Sequence, residues 1–394
     1  MTSLSPSALD VLDDCPFKYN LQYIEKIRSE LVGSALLFGT AIDEALNVLL
    51  IQKKSNKSHE EFQLAAQDPK QIFDYHFSWI NLKGNPQDRE SAATSTYMRY
   101  YNKDFDKEIL DDNDKYRLKT FIQQAGYVDE AGQVPEIFAL REELAERMKA
   151  GEELKSVDLG YYNYCSWLSM RRKGHYILDH YQADILPKIK EVYNIQRKII
   201  LPDESAVDQI RGKQDFEAEF VDEPGVRYTV DNKTSSKPYK QSDINDKLQL
   251  PIYSEENGTS HGAYIVMIKH LDREVTNKCD LCAKARISRH SNCPEPKCKG
   301  KMVFEKERIV VKSQIVRDRI TDQARDKHFA SFEKGFDIVK LAEFPQDRTK
   351  CIDFRYPGGK CPYYNYCHSP GNKRNMEGLY KAKKTPCVEE ESVL

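Results

Sequence analysis

The sequence predicts an α/β fold in which a central sheet is flanked by helices and carries two insertions, one large and helical, one small and rich in cysteine. Three observations carry this expectation. Apolar segments with helical spacing open the chain, strand signals crowd between about 189 and 275, and a long polar region of helical period separates the two. Four closely spaced cysteines then fall between two strand-like segments.

The first helix follows from Ser5-Pro6-Ser7, which supplies an N-cap and a first-turn proline ahead of Leu9 and Leu12. Cys15-Pro16-Phe17 comes next, with Tyr19, Leu21, Tyr23 and Ile24, and Leu36 to Leu50 reads as a strongly apolar helix containing Gly39 and Asp43. Residues 1–52 are therefore the N-terminal helices of a core. The region 53–188 is rich in Glu, Lys, Gln and Tyr, with helix-period stretches at Ile137 to Met148 and Leu168 to Leu186, and reads as a helical insertion.

Strand signals take over in 189–275. Val192 to Leu201, Asp208 to Phe220 and Val226 to Asp231 carry alternating or β-branched residues, Lys247 to Tyr253 returns to helical spacing, and Ala263 to His270 is another strand. Residues 276–302 form the cysteine insertion. Met302 to Val311 then reads as a strand and Gln314 to Phe332 as a long charged helix, so that 303–394 closes the chain with a strand, a helix and a cysteine-rich tail.

At 394 residues, with 40% hydrophobic and 31% charged side chains, the chain is long enough and apolar enough for a sizeable core. The apolar stretch Ser34 to Ile51 is broken by Asp43 and Glu44, and no charged-then-apolar leader opens the sequence, so the expectation is a cytoplasmic protein without a membrane span. A net charge of −2 is neutral on polyanion binding, because basic residues can be confined to one groove. No Gly-x-x-x-x-Gly-Lys-Ser/Thr loop occurs, so any unwinding motor would be a separate protein.

The residues that can carry chemistry are Gly212-Lys213-Gln214-Asp215 on one strand, Asp231-Asn232-Lys233 at the end of another, and Gln249 with Tyr253 on the following helix. Two aspartates suit a hard divalent cation, which phosphodiester hydrolysis needs to activate water and to neutralise charge on the phosphate. In Asp-x-Lys on a strand the two side chains share a face, so Lys233 stands beside a metal held by Asp231 and the Asn232 carbonyl can add a ligand. A lone Asp-x-Lys triplet is weak evidence, since solvated strand faces contain many by chance.

The ordered set is more specific. Gly212-x-x-Asp215, Asp231-x-Lys233 and Gln249-x-x-x-Tyr253, together with Leu4-Ser5-Pro6-Ser7, Cys15-Pro16 with Tyr19, and Phe38-Gly39, resemble the RecB-like branch of the PD-(D/E)xK nucleases. The resemblance implies a restriction-endonuclease-like core with a mixed central sheet, Mg²⁺ or Mn²⁺ as cofactor, and catalytic roles for Asp215, Asp231, Lys233, Gln249 and Tyr253. It also implies metal ligation by Asp43, Asp215, Asp231 and Asn232. Asp43 stands where the family commonly has a histidine; it is either a ligand in its own right or a polar interruption of an apolar helix. Gln249 and Tyr253 lie one turn apart and either contact DNA, support Lys233, or belong to an ordinary amphipathic helix.

Cys279-x-x-Cys282, followed by Cys293 and Cys298, has the spacing of a four-cysteine Zn²⁺ ribbon. Its many lysines and arginines make it either a DNA-touching finger or a structural clip. In iron–sulfur members of the family, such as AddB-type helicase-nucleases and CRISPR-associated RecB-like exonucleases, three C-terminal cysteines join one near the N-terminus to hold a [4Fe–4S] cluster. By that resemblance Cys15, Cys351, Cys361 and Cys367 are the ligands, although Cys351-x9-Cys361 is wider than the family spacing and leaves zinc or free thiols open.

Arg171-Arg172-Lys173 among Tyr161, Tyr162, Tyr164 and Trp167 is a mixture suited to gripping a single strand, though helix packing explains the aromatics equally well. By resemblance the chain is a prokaryotic or phage exonuclease acting on DNA with a free end, alongside a separate helicase or recombination protein. A structure-selective or restriction-like endonuclease and a non-catalytic DNA-binding scaffold are the alternatives.

Overall fold

The computed structural model describes residues 2–29, 34–78, 105–124, 126–127, 135–150, 152, 154–202, 206–287, 292–293, 295, 298–347, 361, 363–368 and 379–381. Strand β1 (Thr2–Leu4) leads into α1 (Pro6–Asp14), which starts where the Ser5-Pro6 signal puts it. Ser5 Oγ accepts the Ala8 N–H at 3.2 Å, a cap worth about 1 kcal/mol, and Leu9 and Leu12 are buried. After α2 (Pro16–Tyr19) and β2 (Ile27–Ser29) comes α3 (Ser34–Lys53). This helix is long and apolar enough to cross a membrane by composition alone, yet Ala41, Ile42, Ala45, Leu46, Leu49 and Leu50 are all buried inside the protein. It is the central core helix.

Helices α4 (His59–Ala65), α5 (Pro69–His76), α6 (Asp112–Gln124), α7 (Ile137–Lys149) and α8 (Ser156–His180) fill the region between α3 and the sheet strands. The stretch expected from Leu168 is the second half of α8; in the first half Tyr161, Tyr162 and Cys165 supply the buried face in place of aliphatic residues. One continuous apolar cluster joins α3, these helices and the sheet through Phe38, Phe73, Leu118, Leu144, Tyr161, Val230 and Ile265.

The strands are β3 (Ile189–Ile195), β4 (Lys198–Leu201), β5 (Asp208–Lys213), β6 (Phe216–Phe220) and β7 (Glu223–Ser235). After α9 (Asp243–Asp246) and α10 (Gln249–Asn257) come β8 (His261–Cys279), β9 (Ala285–Ile287) and β10 (Met302–Arg319), and then α11 (Asp322–Leu341), α12 (Tyr364–Cys367) and β11 (Leu379–Lys381). The main sheet has the order β10-β8-β7-β6-β3. Within the main sheet, among the described residues, β7 and β8 are the parallel pair, joined by the α9–α10 crossover, so the sheet is mixed. A second sheet, β1-β5-β4, backs onto α1 and α11.

Two stretches expected as single strands are each divided. The first breaks at Gln196, whose φ is 54°, and the second at Gln214-Asp215; the halves join different sheets. The Gln196 N–H donates to the Asp215 carbonyl at 2.7 Å and the Gln214 N–H to the Arg197 carbonyl at 3.0 Å, so the two breaks lie side by side where the sheets part.

The expected helix from Gln314 is a correction. β10 runs on to Arg319, pairing with β8 from Gln314↔Val266 through Arg319↔His261, and α11 begins only after Thr321, whose side chain caps Ala324 N–H at 3.1 Å. Ile315 and Val316 are β-branched and pair with an interior strand, which outweighs the charged composition. The tail folds back on the segment after Cys15: β11 pairs with β2, and Tyr363 Oη donates to the Ile27 carbonyl at 2.8 Å.

Candidate active site

The cleft forms at the end of the main sheet, where α3, β7, the β5–β6 break and the start of α10 meet. Asp231 and Lys233 point from one face of β7, and Lys233 Nζ stands 2.7 Å from Asp231 Oδ2. Asp43 and Gly39, one turn apart on α3, face them. Asp215 arrives from the break between the sheets, and its Oδ2 accepts the main-chain N–H of Asn232 at 2.6 Å. Gln249, at the first turn of α10, closes the ring, and these residues with Thr40, Ile42, Leu46, Thr234 and Met267 line a cavity of about 300 Å³.

Three carboxylates in one small cleft repel each other. Burial, then Glu44 and Asp231, raise Asp43 to about 6 against the pull of Lys213 and Lys233. Burial followed by Asp231 and Asp43 pushes Asp215 well above the ordinary carboxylate range. Burial raises Asp231 even with the Lys233 ammonium beside it. For Lys233 itself burial favours the neutral amine, but Asp231 and Asp215 overcome that and hold the ammonium charged. Asp231 Oδ2 is buried with the Lys233 ammonium as its close neighbour. An acid-rich donor set of three raised carboxylates fits a hard divalent cation, which would relieve the repulsion.

Supporting residues explain the motif. A Cβ on Gly212 would lie 2.6 Å from the Tyr253 ring, so the glycine of Gly-x-x-Asp exists to let Tyr253 lie against β5. Tyr253 is 3% exposed and hydrogen-bonded to Gln249, and it packs behind the residues that line the cleft. Two supporting residues escape sequence reasoning. Gln196 Nε2 reaches Asn47 Oδ1 at 3.0 Å and Asp43 Oδ2 at 3.4 Å, while its backbone holds Asp215. Tyr181 Oη donates to Asn232 Oδ1 at 3.2 Å. The positive φ of Gln196, which non-glycine residues rarely adopt, has no signal in a stretch that reads as continuous strand.

Comparison with known families bears on the first of these elements. Residues 3–111 match the PD-(D/E)XK nuclease superfamily. The matched part contains Cys15, α3 and Asp43, whereas Asp215, Asp231, Lys233 and Gln249 lie beyond it, so the geometry of the cleft and the superfamily match are separate observations. The mixed sheet flanked by helices is consistent with that superfamily's core. No curated protein matches the chain.

The first cysteine set closes on itself. The sulfurs of Cys279, Cys282, Cys293 and Cys298 lie within 4.8 Å of one another, with Cys279–Cys298 and Cys282–Cys293 both at 3.6 Å. Tetrahedral sulfurs on bonds of about 2.3 Å stand about 3.8 Å apart, so the four can coordinate one metal ion. Hydrogen bonds, chiefly from the Cys282 main chain, pull the Cys279 thiol down to about 7. Gly300 is required here, because a Cβ would lie 2.4 Å from Cys279 Sγ.

Of the second set, Cys15 and Cys361 are buried and Cys367 is half-buried; Cys351 lies outside the described residues. Cys361 and Cys367 pack with Phe17, Leu21 and Ile27, which places them against the segment that follows Cys15.

The basic and aromatic residues of α8 make contacts within the protein. Arg171 forms a two-pronged bond to Asp74, with Nε to Oδ1 at 2.8 Å, and Arg172 bridges Asp111 and Asp114. Tyr161, Tyr162 and Trp167 are buried. Lys173 is half-buried on the same helix. Composition alone cannot tell a phosphate-binding arginine from one that ties two helices together.

Proposed function

We propose that this chain is a divalent-metal-dependent deoxyribonuclease that hydrolyses phosphodiester bonds, acting as an exonuclease in DNA recombination, repair or replication. The observation that supports it most is the convergence of Asp43, Asp215, Asp231 and Lys233, from three separate parts of the chain, in one cleft of about 300 Å³. Asp43, Asp215 and Asp231 hold Mg²⁺ or Mn²⁺, with the Asn232 carbonyl as a further ligand. When bound, the cation activates water and neutralises charge on the phosphate. Lys233 keeps its proton throughout and donates to the oxygen on which charge grows. Gln249, braced by Tyr253, orients the strand at the mouth of the cleft. A non-catalytic scaffold would have no reason to gather these groups.

In the same reading Zn²⁺ occupies the Cys279, Cys282, Cys293 and Cys298 set, and a [4Fe–4S] cluster joins Cys15 to Cys351, Cys361 and Cys367, stapling the first helix to the tail as in AddB-type and CRISPR-associated relatives. Preference for DNA ends, and work beside a separate helicase or recombination protein in a prokaryotic or phage-infected cytoplasm, follow from that analogy. The test is digestion of end-labelled linear and closed-circular DNA with Mn²⁺, by protein purified without oxygen. Loss of linear DNA with circles spared is the expected result; cutting of circles replaces the exonuclease by an endonuclease, and no cleavage at all leaves the DNA-binding scaffold.

A further inference from the structure

We propose that the arm formed by β8 and β10 carries a second DNA contact, which grips the duplex about one helical turn from the cleaved phosphate. The inference rests on the nuclease reading above and names a substrate-positioning site outside the cleft. β8 lies parallel to β7 with Lys233 opposite Val266 and Ser235 opposite Ile268, and there β7 ends. β8 continues to Cys279 paired with β10 and, near its end, β9. At about 3.3 Å per residue, the run from Val266 to Cys279 carries the cysteine knob roughly 40 Å beyond Lys233, less whatever twist and bulges take up. One turn of B-form duplex is about 34–36 Å.

The arm is anchored where it leaves the core. Leu271 and Val311 belong to the main apolar cluster, Arg273 pairs with Asp106 at 3.0 Å, and His180 is hydrogen-bonded to Ser313 at 2.7 Å. Along the arm charges cancel, with Lys312 paired to Asp272 at the anchor and Arg308 paired to Glu274 at 2.6 Å just beyond it. The tip differs. Lys278, Lys299 and Lys301 are exposed and form no side-chain ion pair among the described residues. Beside them Leu281, Val303 and Phe304 are 70%, 53% and 62% exposed. A clip that only closed a hairpin would place polar side chains at these positions. Unpaired cations next to apolar side chains suit a phosphate backbone with its sugar and base edges.

The test is binding of hairpin duplexes of about 8 and about 20 base pairs, with Ca²⁺ in place of the catalytic ion, by full-length protein and by a variant carrying K278E, K299E, K301E and F304S. Metal content and melting temperature verify that the variant keeps its knob, and F304S alone serves if the combination fails to fold. The expected result is equal affinity for the short duplex and at least tenfold weaker binding of the long one. Loss of three phosphate contacts also lowers the salt slope on the long duplex by about 2.7. A variant that keeps the whole length-dependent gain overturns the arm and leaves the nuclease reading intact. Wild-type protein that neither binds nor cuts any DNA overturns the nuclease reading itself.

Discussion

The carboxylate cleft and the four-cysteine knob gather their ligands by opposite routes. In the cleft, Asp43, Asp215 and Asp231 come from α3, the sheet break and β7, elements that pack into the main apolar core. In the knob, all four ligands lie within 20 residues of chain, and the surrounding side chains, Leu281 among them, are mostly exposed. On the proposed reading a metal at the first site would be a guest that relieves repulsion. At the second it would substitute for a missing apolar core, as structural metal ions do in small domains.

This contrast is broken most forcefully by removing one ligand from each site. Asp231→Ala, which removes one of three mutually repelling carboxylates, is expected to lower DNA hydrolysis by about a thousandfold while the protein melts no earlier than the wild type, as checked by end-label assays beside thermal unfolding. Cys282→Ser is expected to do the reverse: metal analysis shows one ion lost and a protease cuts within 276–302, yet short oligonucleotides are cleaved at the wild-type rate. If Cys282→Ser unfolds the whole chain, the knob is part of the core after all.

A smaller effect sharpens the account of the cleft's support. Gly212→Ala forces a methyl against the Tyr253 ring, 2.6 Å away, and should cost about 1–3 kcal/mol in urea unfolding. Pairing it with Tyr253→Leu should recover part of that loss.

The next effect is one of pH. The Asp43 carboxyl sits at about 6 in the folded protein, above the value near 4 of an unfolded chain, so its stabilising contribution is complete below about 4 and is lost as pH rises through about 6. Metal-free protein should therefore melt about one or two degrees lower at pH 7.5 than at 5.5, and Asp43→Asn should weaken the dependence. Saturating Mg²⁺ should raise the melting temperature most at the higher pH. The smallest effect on function belongs to Arg171→Ala: its loss should lower stability by about 1 kcal/mol, since Asp74 keeps its hydrogen bond to His175, while leaving DNA affinity and its salt slope unchanged.

The difference between the two sites also governs what the sequence reveals. The knob is legible because its ligands and spacing are local. The cleft is legible in part, since strand period puts Asp231 and Lys233 on one face and the family resemblance adds Gly212, Asp215 and Gln249. What holds it together is not. Gln196 acts through a left-handed turn between two sheets that share one stretch of β-forming residues, and no residue type announces that turn. The ion pairs of Arg171 and Arg172 are not legible in the sequence because their partners, Asp74, Asp111 and Asp114, are distant in sequence. The strand at Gln314 to Arg319 was hidden for the same reason: its helix-like charges matter less than its pairing with β8.

The central claim is that a preformed carboxylate cleft with Lys233 cuts DNA through a bound cation. Single-turnover digestion of an end-labelled linear duplex across a Mn²⁺ titration, by the wild type and by Asp231→Asn at equal concentration, tests it most directly. Saturable, Mn²⁺-dependent cleavage by the wild type with none above background in the variant is the predicted result. Equal cleavage by both proteins, or cleavage indifferent to Mn²⁺ after thorough chelation, would contradict it.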